Sequence, residues 1–377
     1  MKKIGIITFH AAYNFGSVLQ AYALQEYLRK KGFEVEIINY RMKEQKDCYK
    51  MFRTHYGVKI FINDTLGVFY LNKKIERKKS FEQFISDYLV LTQEFADPLE
   101  FSEYNDKYDV YISGSDQIWN KHANELHNVE WKYMEPYLLN KIHGRKISYA
   151  SSIGNMKDDM EINHLIEYIR DYHRISMREE ASAKLISKYL NKRVESVLDP
   201  TFLLKRQDWI SRFKLKKRNE KKYILFYSLA GRKKLNKFKK LITDIEKKGY
   251  VVKYITPFFQ FRYGDRMNFV NCLEYGPYQF LDAIYNSECV ITDSYHGTIL
   301  SINLNKNFYS INGDYESDYR KTSVLQKLDL MSRSIGSDVD ISELKFDNIN
   351  YEIVESKLEV LRKHSKEYLI NAINDDF

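Results

Sequence analysis

The chain has 377 residues, room for two to three domains at about 150 residues each, and its 44% hydrophobic content supplies packed cores rather than disorder. Its three cysteines, Cys48, Cys272 and Cys289, lack CxxC spacing, which argues against a disulfide framework or a structural zinc site and fits a reducing compartment. The net charge is +9, yet Lys205–Lys240 alone carries +13 and the rest of the chain −4, so this is a near-neutral protein with one basic block and not a nucleic-acid coat.

Lys3–Phe9 is a continuous apolar run, the pattern of a parallel strand buried on both faces. It follows two lysines, as in a signal peptide, but the run stops at His10 and no small-residue cleavage site follows. A turn with Asn14 and Gly16 leads to a helix opening at Ser17, with Val18, Ala21, Leu24 and Leu28 on one face and Gly32 at its end. Phe33–Tyr40 reads as a second strand, which completes a strand–helix–strand unit. Residues 42–100 are less regular.

Three strand-plus-loop units come next. Tyr108–Ile112 runs into Ser115, Asp116, Gln117 and Trp119; Lys146–Ala150 into Ser151 and Ser152; Arg174–Met177 into Arg178. Val197–Thr201 looks like a further strand end. Beyond the basic block, Tyr223–Leu229 and Val251–Ile255 start a new strand series. Tyr278–Asn286 predicts a helix, Glu288–Thr292 a strand, Asp293–Gly297 a sharp turn, Thr298–Leu304 a helix and Asn307–Ile311 a strand. An amphipathic helix with Val354, Leu358, Leu361 and Leu369 closes the chain. The pattern predicts an α/β fold of two Rossmann-like, doubly wound domains: 1–204 and 223–348, joined by a basic linker at 205–222 and followed by a terminal helix at 349–377. No window reaches the ~18 apolar residues of a bilayer span, so a cytoplasmic protein is expected.

In open α/β sheets, ligands bind outside the carboxyl ends of the strands, and every polar cluster above sits at such an end. His296 stands between a strand and the start of a helix, where backbone N–H groups and the dipole suit a phosphate or carboxylate and an imidazole can move protons near neutral pH. Arg178 could hold an anion in bidentate fashion, or simply pair with Glu179, Glu180 or another acid. Asn14, Gly16 and Ser17 form a phosphate-binding-like turn without the GxGxxG fingerprint, and ordinary capping by Ser17 explains them as well. Ser115, Asp116, Gln117 and Trp119 suit a sugar, with hydroxyls bonded and the apolar face on the indole; the structural alternative is a buried Trp119 that fixes the loop. The aromatic residues offer no stacking platform for nucleic acid.

Six segments then occur in order: Ile4-Gly5-Ile6-Ile7-Thr8 through Asn14-Phe15-Gly16-Ser17; Gly114-Ser115-Asp116-Gln117-Ile118-Trp119-Asn120; Ser148-Tyr149-Ala150-Ser151-Ser152-Ile153-Gly154; Ser176-Met177-Arg178-Glu179; Val197-Leu198-Asp199-Pro200-Thr201; and Thr292-Asp293-Ser294-Tyr295-His296-Gly297. Together they resemble the polysaccharide pyruvyl transferase family. The resemblance implies a fold like that of the B-type glycosyltransferases, with two domains facing a cleft. It implies transfer of a pyruvyl group from phosphoenolpyruvate, as donor substrate, to two hydroxyls of a sugar as a cyclic ketal, with no metal and no other cofactor. His296 would be the catalytic acid/base and Arg178 a donor-anion ligand. Ser294, Tyr295, Gly297, Thr298, Asn14, Gly16 and Ser17 would line the donor side, and Ser115, Asp116, Gln117, Trp119, Ser151 and Ser152 the acceptor side. Many members carry Asp-Arg-Leu-His-Gly around this histidine; here Ser294 and Tyr295 replace the Arg and Leu.

Two other readings stay open: a nucleotide-sugar-dependent glycosyltransferase of the same fold, and a noncatalytic component of polysaccharide assembly. The acceptor could ride on a lipid, and Lys205–Lys240 could touch an anionic membrane at its inner face.

Overall fold

The computed structural model describes residues 1–48, 71–123, 126, 128–229, 239–256, 269–312, 319–336, 339, 344 and 347–374. The chain divides into two compact units: Met1–Lys50, Ile85–Leu204 and Glu359–Phe377 in one, Met51–Phe84 and Lys205–Leu358 in the other.

In the first unit, the strands β1 (Lys3–Ile7), β2 (Glu34–Ile37), β3 (Val110–Ser113) and β4 (Arg145–Ser148) form a sheet in the order β2-β1-β3-β4. Every pair is parallel, with Ile4 opposite both Val35 and Val110. The short β5 (Ser176–Met177) and β6 (Glu195–Ser196) pair in parallel, and bridges Ile147–Arg174 and Ser151–Met177 tie them to the β4 side. Ile4, Ile6, Val110, Ile112 and Ile147 are fully buried, as continuous apolar strands covered on both faces require.

The first helix spans Phe15–Lys30 and opens two residues before the expected Ser17. Asn14 is its N-cap, because the Asn14 side chain accepts the Gly16 N–H at 3.0 Å. Gly32 follows the last turn with φ +87°, a conformation glycine adopts without strain.

The second unit holds β7 (Tyr223–Tyr227), β8 (Val251–Ile255), β9 (Phe269–Asn271), β10 (Cys289–Thr292), β11 (Asn307–Asn312) and β12 (Ser334–Gly336). Their order is β12-β11-β10-β7-β8-β9, again all parallel, so the central pair β10-β7 is the most enclosed. Its core packs Ile224, Phe226, Val252 and Ile291 against Ile242 and Ile245 of the helix Lys239–Lys247.

The unit membership departs from a contiguous division at 204, 222 and 348, for three physical reasons. The helix Leu71–Tyr88 is bonded into the second unit through its first part, up to Phe84: Lys73 Nζ donates to the Asn271 carbonyl (2.7 Å) and Arg77 Nη1 to the Tyr275 carbonyl (3.2 Å). Residues 205–222 are not a free linker. Arg206–Phe213 is a helix whose Trp209 and Phe213 are buried and stacked at 5.9 Å. The terminal helix, Tyr351–Asn374, returns to the first unit from Glu359 onward. There the buried Arg362 donates to the Phe202 carbonyl (2.7 Å), Ser365 accepts the Leu198 N–H (2.9 Å), and the Tyr368 hydroxyl donates to the Ser148 carbonyl (3.1 Å). Among the described residues no helix is long and apolar enough to cross a membrane.

Candidate active site

The polar loops fall into two groups, one at the strand carboxyl ends of each unit. In the second unit, β10 delivers the chain into Asp293 and Ser294, and a helix runs from Tyr295 to Asn303. The helix therefore starts three residues earlier than Thr298, and His296 lies within its first turn instead of in a preceding turn. The reason is Ser294, which caps the helix: its side chain accepts the Gly297 N–H at 3.3 Å and its carbonyl accepts the Thr298 N–H at 3.0 Å. Gly297 permits close packing of helix on sheet. A Cβ there would lie 2.5 Å from Thr292 Oγ1 and 2.9 Å from Tyr227 Cδ1. His296 is 8% exposed, and its ring meets the Tyr295 ring edge-on at 5.2 Å.

The turn ahead of His296 is held from several sides. The Asp293 carboxylate accepts from Ser228 Oγ (2.6 Å) and from the Leu229 N–H (2.7 Å). The buried Lys321 donates its ammonium to the carbonyls of Asp293 (3.0 Å) and Ile311 (2.5 Å), which puts a cation against the ends of β10 and β11. Two donor-side candidates serve the fold here. Thr298 is fully buried, its hydroxyl donating to the Ser294 carbonyl (3.0 Å) and lying 3.1 Å from Ser310 Oγ, and the Gly297 N–H is already taken by Ser294.

In the first unit, residues from five separate strand ends converge. Ser17 Oγ donates to Asp116 Oδ2 at 2.6 Å, and Asp116 Oδ1 accepts the Gln117 N–H at 2.8 Å. Asp116 and Ser151 bridge their two loops, and the Arg178 N–H donates to the Ser151 carbonyl. The Arg178 guanidinium is buried with its Nε 3.0 Å from Glu179, its Nη1 3.3 Å from Asp199 and 3.7 Å from Asp116. Asp199 in turn accepts the N–H and hydroxyl of Thr201. Three carboxylates thus surround one cation. The guanidinium that the sequence suggested for a donor anion is therefore engaged by the protein's own acids.

The acceptor-side expectation changes in the same way. Trp119 has no exposed surface; its indole N–H donates to Ser113 Oγ at 2.8 Å and its ring packs edge-on against Tyr172. Its face is therefore closed to a sugar. Ser115, Ser151 and Ser152 are equally buried. Ser115 donates to the Ala150 carbonyl (2.7 Å), Ser151 to the Ser113 carbonyl (2.9 Å), and Ser152 Oγ accepts the Gly154 N–H (3.1 Å). Gln117 and Asn14 keep partial exposure, and Asp116 keeps 10% of its side chain accessible. Gly16 and Ser17 are buried.

Several participants were not singled out from the sequence. Gln20 reaches from the first helix to Thr8 Oγ1 (2.8 Å) and to the Ser115 N–H (3.2 Å), and so fixes the loop after β3. His10, just past β1, is buried between the Thr8 carbonyl (3.1 Å) and Asn39 Oδ1 (2.8 Å). Burial, aided by the nearby Arg41 charge, pushes its imidazole down to about 4 against the pull of the Asn39 bond. No spacing rule marks Lys321 or Ser228; only the fold brings them to Asp293. Among the described residues no cluster of His, Cys, Asp or Glu could hold a metal ion.

Solved structures with the same two-unit α/β plan define the class. The complex of S. aureus MnaA with UDP superposes with a TM-score of 0.50 at 12% identity, over 98% of this chain and 90% of that one. Arabidopsis thaliana UGT89C1 complexed with UDP-L-rhamnose gives 0.53 at 11% identity, over 99% and 97%. At such identity the likeness establishes the fold alone: two Rossmann-like domains of the B-type glycosyltransferase kind. No curated protein matches the chain in sequence. The family model "Polysaccharide pyruvyl transferase" matches residues 14–315, and the chain belongs to that family.

Proposed function

We propose that this protein transfers the pyruvyl group of phosphoenolpyruvate to two hydroxyls of a sugar in a polysaccharide or lipid-linked precursor, forming a pyruvate ketal. The family match across residues 14–315 carries this reading. Protonation of the donor's methylene carbon makes the adjacent carbon electrophilic, with oxocarbenium-like character. One sugar hydroxyl adds there, inorganic phosphate leaves, and the second hydroxyl closes the ketal. The two hydroxyl protons balance the proton delivered to carbon and the one taken by phosphate.

His296 is the residue assigned to proton transfer, a task worth ~10²–10⁴-fold in typical enzymes. Its place in the first turn of a capped helix puts it where an anionic donor is electrostatically favoured. Lys321 supplies positive charge behind the same turn and offsets the loss of arginine at Ser294. Arg178 acts as a positioning residue that holds Asp116, and Asp116 with Gln117 meets the acceptor. An acceptor carried on lipid would bring the enzyme to an anionic membrane surface.

The test is phosphate release from phosphoenolpyruvate with glycan acceptors, with mass spectrometry for the ketal. His296→Ala should lose at least about a hundredfold in rate while keeping its fold. Near-full activity of that variant removes the assignment. Tight binding of a nucleoside diphosphate with none of phosphoenolpyruvate would instead mark a glycosyltransferase.

A further inference from the structure

The terminal helix, Tyr351–Asn374, has two contrasting faces over its part in the first unit. Arg362, Ser365, Leu369, Ala372 and Ile373 are buried, at the spacing of a stripe turned to the core. On the other side Val360, Lys363, Glu367 and Ile370 follow one another at intervals of three, four and three, the spacing of a two-stranded helical seam. Val360 is 70% exposed, and Ile370 is half-buried.

A groove of about 590 Å³ lies along this face, between the terminal helix and the end of the first helix. Tyr27, Val360 and Ile370 give it apolar surface, while Lys363, Lys366 and Glu367 put charges of both signs around it. Its walls are tied together at Tyr27, whose ring has Lys366 Nζ 5.4 Å and Lys31 Nζ 5.8 Å from its centre. Tyr27 and Lys31 stand at the end of the first helix away from the Asn14–Ser17 turn, so the groove is separate from the loops of the candidate site.

An occupant must bring apolar surface and both charges in matching order, and a second copy of the same helix does so. Packed antiparallel about a two-fold axis level with Ser365, it sets Val360 opposite the partner's Ile370 and Lys363 opposite the partner's Glu367, each twice. Moving the axis to between Lys363 and His364 puts Val360 against the partner's Glu367. A parallel pair puts Lys363 on Lys363 and Glu367 on Glu367. Within one chain Lys363 and Glu367 are 3.8 Å apart with 78% and 59% of their side chains exposed, a pair of little value alone. Between copies it becomes a closed network of alternating charge beside apolar contacts.

We propose that this chain forms a symmetric dimer in which the Val360–Ile370 face of the terminal helix packs antiparallel on the same face of a second copy. One helix pair buries less than the ~1,600 Å² of a standard interface, so the dimer is expected to dissociate on dilution. Donor, acceptor and catalytic residues play no part in it, and its failure leaves the transferase reading untouched.

Sedimentation velocity of the full-length protein across a wide concentration range should show a two-chain species that grows with concentration. Lys363→Glu sets like charges face to face at both symmetry-related positions and should weaken association by at least about tenfold. Lys363→Glu with Glu367→Lys restores opposite charges and should return association close to wild type. Val360→Asp should leave monomer. All three changes fall on exposed side chains, so urea midpoints should match wild type. Oxidised Val360→Cys with Ile370→Cys should give a covalent dimer that neither single variant nor wild type gives, because within one helix the two positions are about 15 Å apart and cannot bond. A protein that stays monomeric overturns the proposal, and if that monomer pellets with phosphatidylglycerol vesicles through Lys31 and Lys366 the groove belongs to a lipid. A dimer that Lys363→Glu does not weaken, or that the charge exchange does not restore, overturns it as well.

Discussion

Gly297→Ala should damage the protein through one contact. The new Cβ would come 2.5 Å from Thr292 Oγ1, 3.0 Å from Thr292 Cγ2 and 2.9 Å from Tyr227 Cδ1. None of these can swing aside freely. Thr292 is fully buried with its hydroxyl accepting the Ser294 N–H, and the Tyr227 ring is wedged edge-on against Phe280 at 4.8 Å. The helix must lift off β10 or the core must shift, at a cost of about 1–3 kcal/mol, the usual range for overpacking. Because His296 precedes the clash directly, the same shift moves the imidazole, and a displacement near 1 Å costs up to ~10²-fold in rate. Urea unfolding gives the stability term and phosphate release the catalytic one. Thr292→Ala removes two of the three contacts but strands the Ser294 N–H, so alone it should cost about 1–3 kcal/mol. The double variant should then be more stable than the sum of the single effects by about 1 kcal/mol or more. A stable Gly297→Ala protein, or strict additivity with Thr292→Ala, would refute the argument that close packing is why glycine stands beside His296.

Three further outcomes follow from the first unit. Arg178→Ala leaves Glu179, Asp199 and Asp116 facing one another in a buried space and should destabilise by about 3–5 kcal/mol in denaturant titration; a stable variant would show that the arginine is available for a ligand after all. Ser17→Ala removes the 2.6 Å donor to Asp116 and should cost about 1.5–3 kcal/mol, as for other bonds to charged groups. His10, held down to about 4 when folded against about 6.5 when unfolded, binds more protons in the unfolded chain, so stability is lost as pH falls from about 6.5 towards 4. The loss attributable to it is about 3 kcal/mol, and unfolding measured across that window should be markedly flatter in His10→Gln.

The strand-and-loop order was legible because parallel strands buried on both faces must be continuous apolar runs, and their polar carboxyl ends are where ligands meet an open sheet. From that pattern alone come the α/β class and the position of His296 after β10, and from the charge count the basic block. Boundaries moved where a side chain decided them: Asn14 and Ser294 each cap a helix that starts two or three residues ahead of the start suggested by the hydrophobic period. What periodicity does not encode is which strand ends meet. Ser17, Asp116, Arg178 and Asp199 are spread over most of the first 200 residues and become one ionic cluster only when β1, β3, β5 and β6 lie in the same unit. Tertiary structure likewise decided that Trp119 faces the core, that Lys321 backs the His296 turn, and that the last helix returns to the unit formed by the first residues. A local pattern sets the local backbone and the face it must bury, but the charge and exposure at a strand end depend on neighbours distant in sequence. The same holds for the basic block: its sign is written in the sequence, whereas the seating of Lys217 on the Tyr285 carbonyl and ring exists only once the chain has folded.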